Sequence, residues 1–328
     1  MKYIYFLLIS LLFITGCSSK QYFEPENDDG YYPKRFSDIS SEIIDFNADG
    51  ATLGDFRLLS KDGITNNIIK KGFRFLNNCD GIIIATDNNS TLLLNNKTTI
   101  EEFNFDKNII SATVKDNLVA LGLIDNSILL YNKETKQTYF KEYLSESLVN
   151  DIKIANPIFL DSVILYPTLD GKVVVVDIDK KSVIKTINID PKSDINNIIF
   201  LSSIDDTLIA ATPTKLFSFV DGNIKIKNFD IRNVIINEKN IYISTLDGQI
   251  IKFDKELKIL KSKKFKFAKF HALGAASYIY ALEENDYLIT LNSDLNDVRI
   301  YNFSFDQDEK SIILGDKLYI GDQSITLE

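Results

Sequence analysis

Two ten-residue stretches of this chain repeat one pattern, and that pattern restricts the fold more than any other feature. They are residues 168–177 (TLDGKVVVVD) and residues 245–254 (TLDGQIIKFD). Each reads as the end of one strand, an Asp-Gly turn and a second strand. Asp-Gly between apolar runs is a strong signal for a β-hairpin, because a two-residue type I′ turn needs positive φ angles. The sequence therefore predicts a chain built from antiparallel hairpins.

Weaker copies of this hairpin recur along the chain. The residues that close the first strand of each copy are Thr86, Leu123, Thr168, Thr212, Thr245, Glu283 and Gly321, and consecutive positions are 33 to 45 residues apart. A β-sandwich would not repeat at this spacing, and the rung of a β-solenoid is usually shorter. A period near forty with four short strands per unit is typical of propeller blades. We therefore predict an all-β fold, a β-propeller of four-stranded blades.

The number of blades is open between seven and eight. Seven hairpins favour seven blades, but the last hairpin ends at Leu327 without an outer strand. An upstream strand must complete that blade, and residues 42–46 and 56–59 are the candidates. Joining the two ends of the chain in one blade closes the ring and removes an open sheet edge. If residues 41–70 form a further blade, the ring has eight.

The start of the chain predicts export and lipid attachment. Lys2 precedes an apolar run over residues 3–14, which suits a secretory signal better than a membrane span. Ile14-Thr-Gly-Cys17 resembles the bacterial lipobox, in which lipid is attached to the cysteine thiol. The alternative is an ordinary signal peptide or membrane anchor with an incidental cysteine. We predict a lipoprotein signal peptide over residues 1–16 and lipidation of Cys17.

The segment after Cys17 is acidic and rich in turn-forming residues, so we predict a flexible tether over residues 17–40 and the propeller over residues 41–328. Resemblance to enterobacterial lipoproteins implies outer-membrane sorting, because Ser18 follows the lipidated cysteine. The expected location is the periplasmic side of the outer membrane.

The charge balance argues against nucleic acid as a partner. The chain has 46 Asp and Glu against 37 Lys and Arg, a formal net charge of −9, whereas surfaces that bind nucleic acid or anionic membranes need clustered positive charge. One basic cluster, residues 261–269 (KSKKFKFAK), is an exception. Its alternating Lys and Phe favour an outer strand with Phe inward and Lys in water over a ligand-binding patch.

The chain offers few residues for catalysis. The single histidine, His271, lies in an apolar context and is expected to be a packed residue. Cys79 has no second thiol once Cys17 is lipidated, and is expected to be a small, partly buried apolar residue. The sequence contains no nucleophile elbow, P-loop or dinucleotide fingerprint. We therefore expect no catalytic residues and no cofactor.

One acidic motif is a weak calcium candidate. Asp45, Asn47, Asp49 and Gly50 match the first half of an EF-hand loop. The twelfth position, which should be a bidentate Glu, is Phe56. A hairpin turn at Asp49-Gly50 explains the same residues, and we favour it over a metal site.

These observations support a family resemblance. Repeats of the form apolar strand, Thr-x-Asp-Gly, apolar strand ending in Asp, on a chain with a lipobox, resemble the pyrroloquinoline-quinone-type propeller repeats of the BamB family of outer-membrane assembly lipoproteins. The resemblance covers residues 70–327. It implies a non-enzymatic scaffold in outer-membrane β-barrel assembly whose partner is the barrel-forming insertase.

The chain departs from that family in having no Trp, the residue that docks between blades in such repeats. The expected substitutes are Tyr139, Phe229, Phe265 and Tyr301. Quinoprotein dehydrogenases share the repeat, but the Trp and Cys residues that clamp their cofactor are missing here. The alternative to a scaffold is a sensor lipoprotein that binds a small ligand or calcium near the central channel.

Overall fold

The computed structural model describes residues 21–33, 35–96, 98–145, 153–193, 196–220 and 222–328. These residues form 32 strands, arranged as eight antiparallel sheets of four. None of the described residues belongs to a helix with the length and apolar character needed to cross a membrane. The prediction of an all-β propeller with four-stranded blades is confirmed. The favoured count of seven blades is wrong, and the alternative of eight is correct.

The strands follow in chain order after a short first strand, β1 (Ser37–Asp38), which belongs to the last blade. Blade 1 comprises β2 (Ile43–Phe46), β3 (Gly50–Leu53), β4 (Leu58–Ser60) and β5 (Gly63–Ile64). Blade 2 comprises β6 (Arg74–Cys79), β7 (Ile82–Thr86), β8 (Thr91–Asn95) and β9 (Ile100–Asn104). Blade 3 comprises β10 (Ile109–Lys115), β11 (Leu118–Leu123), β12 (Ser127–Asn132) and β13 (Gln137–Tyr143). Blade 4 comprises β14 (Ile158–Leu160), β15 (Val163–Pro167), β16 (Lys172–Asp177) and β17 (Ser182–Asn188).

The second half of the ring repeats this order. Blade 5 comprises β18 (Phe200–Ile204), β19 (Thr207–Ala211), β20 (Lys215–Val220) and β21 (Asn223–Asn228). Blade 6 comprises β22 (Ile231–Asn237), β23 (Asn240–Thr245), β24 (Gln249–Phe253) and β25 (Ile259–Lys264). Blade 7 comprises β26 (Phe270–Ala275), β27 (Ile279–Glu283), β28 (Tyr287–Leu291) and β29 (Val298–Asn302). Blade 8 comprises β30 (Ser311–Leu314), β31 (Lys317–Ile320), β32 (Gln323–Thr326) and β1.

The N-terminal strand closes the ring, as the sequence required, but it is neither of the expected segments. Ser37 pairs with Ser324 and Asp38 pairs with Gln323 on β32. Residues 42–46 and 56–59 instead contribute to β2 and β4 of the additional blade. The propeller therefore begins before residue 41, within the segment expected to be a tether.

Blade 1 escaped the repeat analysis because its hairpin lacks the Asp-Gly signal. Its second and third strands are joined through Gly54-Asp55-Phe56-Arg57, and Leu53 donates its backbone N–H to the Arg57 carbonyl at 2.9 Å. Its last two strands have three and two residues. Such short strands leave almost no apolar alternation to read.

The apolar core lies between neighbouring blades, because successive residues of a strand point to opposite faces of its sheet. On β11, Leu121 packs toward blade 2, whereas the adjacent Ala120 packs toward blade 4.

Three fully buried tyrosines reach from the second strand of a blade to a neighbouring backbone: Tyr166 donates to the Leu129 carbonyl at 2.9 Å, Tyr242 to the Ser293 carbonyl at 2.7 Å and Tyr280 to the Glu328 carbonyl at 2.9 Å. Of the four aromatic residues expected to replace Trp, only Phe265 is among the buried core residues.

The Thr-x-Asp-Gly turns differ from the expected type I′ geometry. Of Asp247 and Gly248, Gly248 alone has a positive φ, +81°, and Gly171 is likewise positive at +74°. The Thr245 hydroxyl accepts the Gln249 N–H at 3.0 Å, so the threonine side chain closes a wider loop. A Cβ on Gly248 would lie 2.3 Å from the Phe265 carbonyl oxygen. The repeated glycine is therefore required by both its φ angle and its close backbone contact.

Candidate interaction surface

The outer rim of blades 5 and 6 is the most exposed part of the propeller. Every residue of β21 and of β25 is exposed, whereas the second and third strands of these two blades are largely buried. Both are terminal strands of their sheets. A terminal strand presents one row of backbone N–H and C=O groups to its surroundings, which is a template for pairing with another chain. The rim of blades 5 and 6 is therefore the candidate interaction surface.

On β21, isoleucine and lysine alternate. Ile224 and Ile226 are 53% and 41% exposed and pair with Phe219 and Phe217 on the neighbouring strand. Phe217 is fully buried between blades 4 and 5. The two isoleucines thus extend an apolar interblade surface outward until it meets solvent.

The prediction for the basic cluster, residues 261–269, is only partly confirmed. β25 is an outer strand and Phe265 points into the core, but Phe267 is 37% exposed, with Lys266 Nζ 4.8 Å from its ring centre. Phe267 has a φ of +67°, so the chain turns there and the alternation ends.

The lysines of this cluster differ in their partners. Lys264 lies 2.5 Å from Asp247, and this hydrogen bond, helped by Thr245, lowers the pKa of Asp247 to about 2. Lys269 lies 3.0 Å from Glu284. Among the described residues, no ion pair is formed by Lys261, Lys263 or Lys266, and all three are exposed. Lys263 and Lys266 thus carry positive charge with no salt bridge, whereas Lys261 lies near enough to Asp294 to help lower the pKa of that carboxyl.

Residues 21–33, which we name the N-terminal strap, lie against blades 6 and 7 rather than apart from them. Phe23 is 6% exposed and makes edge-to-face contacts with Phe265 and Tyr287, at ring-centre distances of 6.0 and 5.5 Å. Further along, the Asp29 N–H donates to the Ile300 carbonyl at 2.7 Å, and Asn302 donates to the Gly30 carbonyl at 2.8 Å. The strap therefore covers the outer edge of β29 before the chain enters β1.

Polar side chains join several blades around the inner strands. Asn156, just before β14, donates to Asp49 Oδ2 at 2.8 Å and to the Leu76 carbonyl at 3.1 Å, and accepts the Ala112 N–H at 3.1 Å. One amide thereby links blade 4 to blades 1, 2 and 3. Asp49 retains contact with solvent, yet the surrounding protein raises its pKa by desolvation, and the Asn156 hydrogen bond opposes that shift.

The residues of the weak calcium candidate are used within this network. The Asn47 side-chain oxygen accepts the N–H groups of Asp49 and Gly50, at 2.9 and 3.1 Å, and its amide donates to the Leu76 carbonyl. Asp45 lies on β2. In the described part of the chain, no group of three or more His, Cys, Asp or Glu side chains is arranged to hold a metal ion. The geometry of Asn47 is that of an Asx turn, as the hairpin interpretation expects.

A cleft of about 260 Å³, lined mostly by residues with polar side chains, lies between blades 1 and 2. Asn78 spans it, donating to Ser60 Oγ at 2.9 Å and to Asp62 Oδ2 at 2.7 Å. The cleft is a second candidate site, of a size below that of most ligand pockets. Nothing in the sequence pattern indicated it, because its walls come from strands and turns of two different blades.

The two residues with reactive side chains lie in packed surroundings. His271 stands edge-to-face against Phe305 at 5.9 Å, and partial burial lowers its pKa. Cys79 is half-buried against the apolar layer between blades 2 and 3, and burial raises the pKa of its thiol to about 11. Both residues are half-buried and contact apolar side chains, and His271 also lies near Glu284, Arg232 and Lys269. Cys17 and the predicted signal peptide over residues 1–16 lie outside the described residues.

The fold and its rim define the class of protein, an eight-bladed β-propeller closed by its N-terminal strand. No protein-family model matches the chain. The plasminogen-binding protein PgbB of Helicobacter pylori strain J99 is 29% identical over 347 residues, and strain 26695 has a PgbB that is 29% identical over 346 residues. Each match covers 90% of this chain and 63% of the relative. The chain thus spans less than two thirds of these curated relatives.

Solved structures share the fold. BamB from Moraxella catarrhalis superposes with a TM-score of 0.66 at 14% identity, covering 90% of this chain and 100% of BamB. The C-terminal WD40 domain of Sif2 gives a TM-score of 0.66 at 14% identity, covering 90% of this chain and 99% of that domain. The propeller is therefore structurally similar to BamB, and equally so to a WD40 propeller.

Proposed function

We propose that this chain is a non-catalytic, protein-binding scaffold that acts in the assembly of outer-membrane β-barrel proteins. Lipid on Cys17 would hold it at the periplasmic side of the outer membrane. The observation that carries the proposal is β21, a fully exposed terminal strand with alternating Ile and Lys. Its partner would be the barrel-forming insertase or a segment of a barrel during insertion.

The chemistry of β21 suits an extended partner. Addition of a strand to a sheet edge uses backbone hydrogen bonds for affinity and alternate side chains for specificity. Ile224 and Ile226 offer apolar contacts on one face of the strand, and Lys225 and Lys227 lie on the other. Lysine on an edge also limits uncontrolled pairing, so association at this strand should be selective and reversible.

We propose a non-catalytic role because neither the Cys79 thiol nor the His271 imidazole is in a form or position suited to catalysis. The Cys79 thiol, with a pKa of about 11, is almost entirely protonated at neutral pH, and a thiolate is needed for nucleophilic attack. His271 packs against Phe305 instead of meeting a nucleophile.

A second candidate function comes from the curated relatives. Similarity to PgbB runs over 90% of the chain, and those relatives are named for plasminogen binding. This chain spans 63% of their length, so the region that binds plasminogen in them need not be the shared one. The fold does not decide between the two functions, because BamB and a WD40 domain are equally similar to it.

Immunoprecipitation from detergent-solubilised outer membranes tests the proposal. We expect the barrel-forming insertase to be enriched with the wild-type chain and to be lost with the double variant Ile224→Glu/Ile226→Glu. Ile100→Glu is the matched control, since Ile100 is 46% exposed on the outer strand of blade 2. Recovery of the insertase by both variants alike would contradict a role for β21. Saturable binding of the purified chain to immobilised plasminogen, with no insertase recovered, would favour the second function.

A further inference from the structure

The docked strap brings the predicted lipid attachment point close to one part of the rim. Phe23 is held between Phe265 and Tyr287, in the apolar cluster between blades 6 and 7. Phe23 follows Cys17 by only six positions, and even a fully extended chain of that length spans at most about 22 Å. A tether free up to residue 40 would reach roughly 80 Å by the same measure. Lipid on Cys17 would therefore hold the 6–7 side of the ring near the bilayer.

The exposed side chains of β25, next to the docked Phe23, have the composition of a membrane-facing surface. Lys261 and Lys263 pair with Lys252 and Ile250, and both Ile250 and Phe23 belong to the cluster between blades 6 and 7. Exposed apolar residues accompany the lysines: Ile259 is 48% exposed and Leu260 39% exposed. Lysine beside exposed apolar side chains is the pattern of proteins that lie on anionic bilayers.

β21 of blade 5 continues this composition with Ile224, Lys225, Ile226 and Lys227, but the opposite side of the ring does not share it. The outer strand of blade 2, four blades from blade 6 and so on the opposite side of the ring, carries Glu101 and Glu102. The strap continues over blade 7 with Glu24, Glu26 and Asp28. Lysines without a salt bridge among the described residues thus line the rim of blades 5 and 6, and of these two blades blade 6 contacts the strap, although the whole chain has a net charge of −9.

We propose that the outer strand of blade 6 and the turn after it, residues 259–267, form a contact surface for anionic phospholipid headgroups, and that this contact fixes the orientation of the propeller on the membrane. The proposal rests on the lipid anchor of the proposed function. It adds an orientation: blade 6 faces the bilayer, and β21 of blade 5 lies next to the contact, where a membrane-bound partner can reach it.

The test uses the full chain, purified from membranes and reconstituted into phosphatidylcholine vesicles with and without phosphatidylglycerol. A fluorophore on Lys263→Cys or on Lys107→Cys reports proximity to a nitroxide on the lipid headgroup. Lys107 is exposed in the connection between blades 2 and 3, on the far side of the ring. We expect quenching at position 263 to exceed quenching at position 107 by at least about twofold, and to increase with phosphatidylglycerol. Equal quenching at both positions would overturn the proposal.

Replacing lysines by glutamate shows which part of the rim responds to phosphatidylglycerol. Each lysine near an anionic surface contributes about 1 kcal/mol, so losing two should weaken the contact by at least about tenfold. Lys261→Glu/Lys266→Glu should abolish the increase caused by phosphatidylglycerol. Lys71→Glu/Lys107→Glu makes the same change in net charge near blade 2 and should preserve it. Equal losses in both pairs would mean that net charge alone acts, which overturns a local contact surface.

Flotation separates this proposal from the anchor on which it rests. Flotation of the chain with phosphatidylcholine vesicles reports the lipid anchor alone. If the chain does not float with them, the anchor fails, and flotation with phosphatidylglycerol vesicles then tests the contact surface by itself. Flotation that requires phosphatidylglycerol, Lys261 and Lys266 supports the surface, and no flotation overturns it.

Discussion

Replacement of Gly248 by alanine tests the structural reason for the repeated Asp-Gly turn. At a φ of +81°, an L-residue pays about 1–2 kcal/mol. The new Cβ would also lie 2.3 Å from the Phe265 carbonyl oxygen and 2.9 Å from that of Ala268. Both atoms are backbone, so they cannot rotate away, and overpacking of this kind costs about 1–3 kcal/mol more. Gly248→Ala should therefore lower the free energy of unfolding by about 2–5 kcal/mol.

Gly81→Ala is the matched control. Gly81 has a φ of +85°, and a Cβ there would meet nothing within 4 Å. Its replacement should cost about 1–2 kcal/mol, from the backbone conformation alone. Urea denaturation and thermal melting of both variants measure the difference, at about 2–4 °C per kcal/mol. Equal destabilisation would refute the argument that contact with the 265–268 loop, rather than φ alone, requires glycine.

Three further changes test other parts of the account. Cys17→Ala should abolish incorporation of radioactive palmitate, and undiminished labelling would show that the thiol is not the lipid site. Phe23→Ala should release the strap and speed its cleavage in limited proteolysis, whereas Tyr22→Ala, at a residue 58% exposed, should not. The pKa of Asp247 is lowered from 3.8 to about 2 in the folded state, so its ionised form stabilises the fold above about pH 4, and this contribution is lost as the pH falls through 2. Asp247→Asn should therefore make stability less dependent on pH between 4 and 2, and an unchanged acid denaturation curve would argue against the Lys264 contact.

Signals local in the chain were sufficient to predict the hairpins. Residues 168–177 and 245–254 carry turn and strand residues within one decapeptide, and the structure has hairpins at both. The turn type was wrong because the Thr245 side chain bonds across the loop, which no dipeptide rule includes. Eight blades remained the less favoured alternative because Leu53, 33 residues before Thr86, is followed by a turn without Asp-Gly.

Local sequence patterns could not predict contacts between distant parts of the chain. Phe23 packs against Phe265 and Tyr287, and Asp29 bonds to Ile300, so the strap is held by partners more than two hundred residues away. Its acidic, turn-rich composition is the same whether it is free or docked. Asn156 is a similar case, because its bonds to three other blades arise only when the ring closes.

The central claim is that this propeller assists the insertion of β-barrel proteins. The most direct measurement is the amount of folded barrels in outer membranes from cells that lack the chain, compared by heat-modifiable gel mobility with cells that express the wild type or Ile224→Glu/Ile226→Glu. We predict that folded barrels decrease without the chain, that the wild type restores them and that the rim variant does not. Normal barrel levels in cells without the chain would contradict the claim.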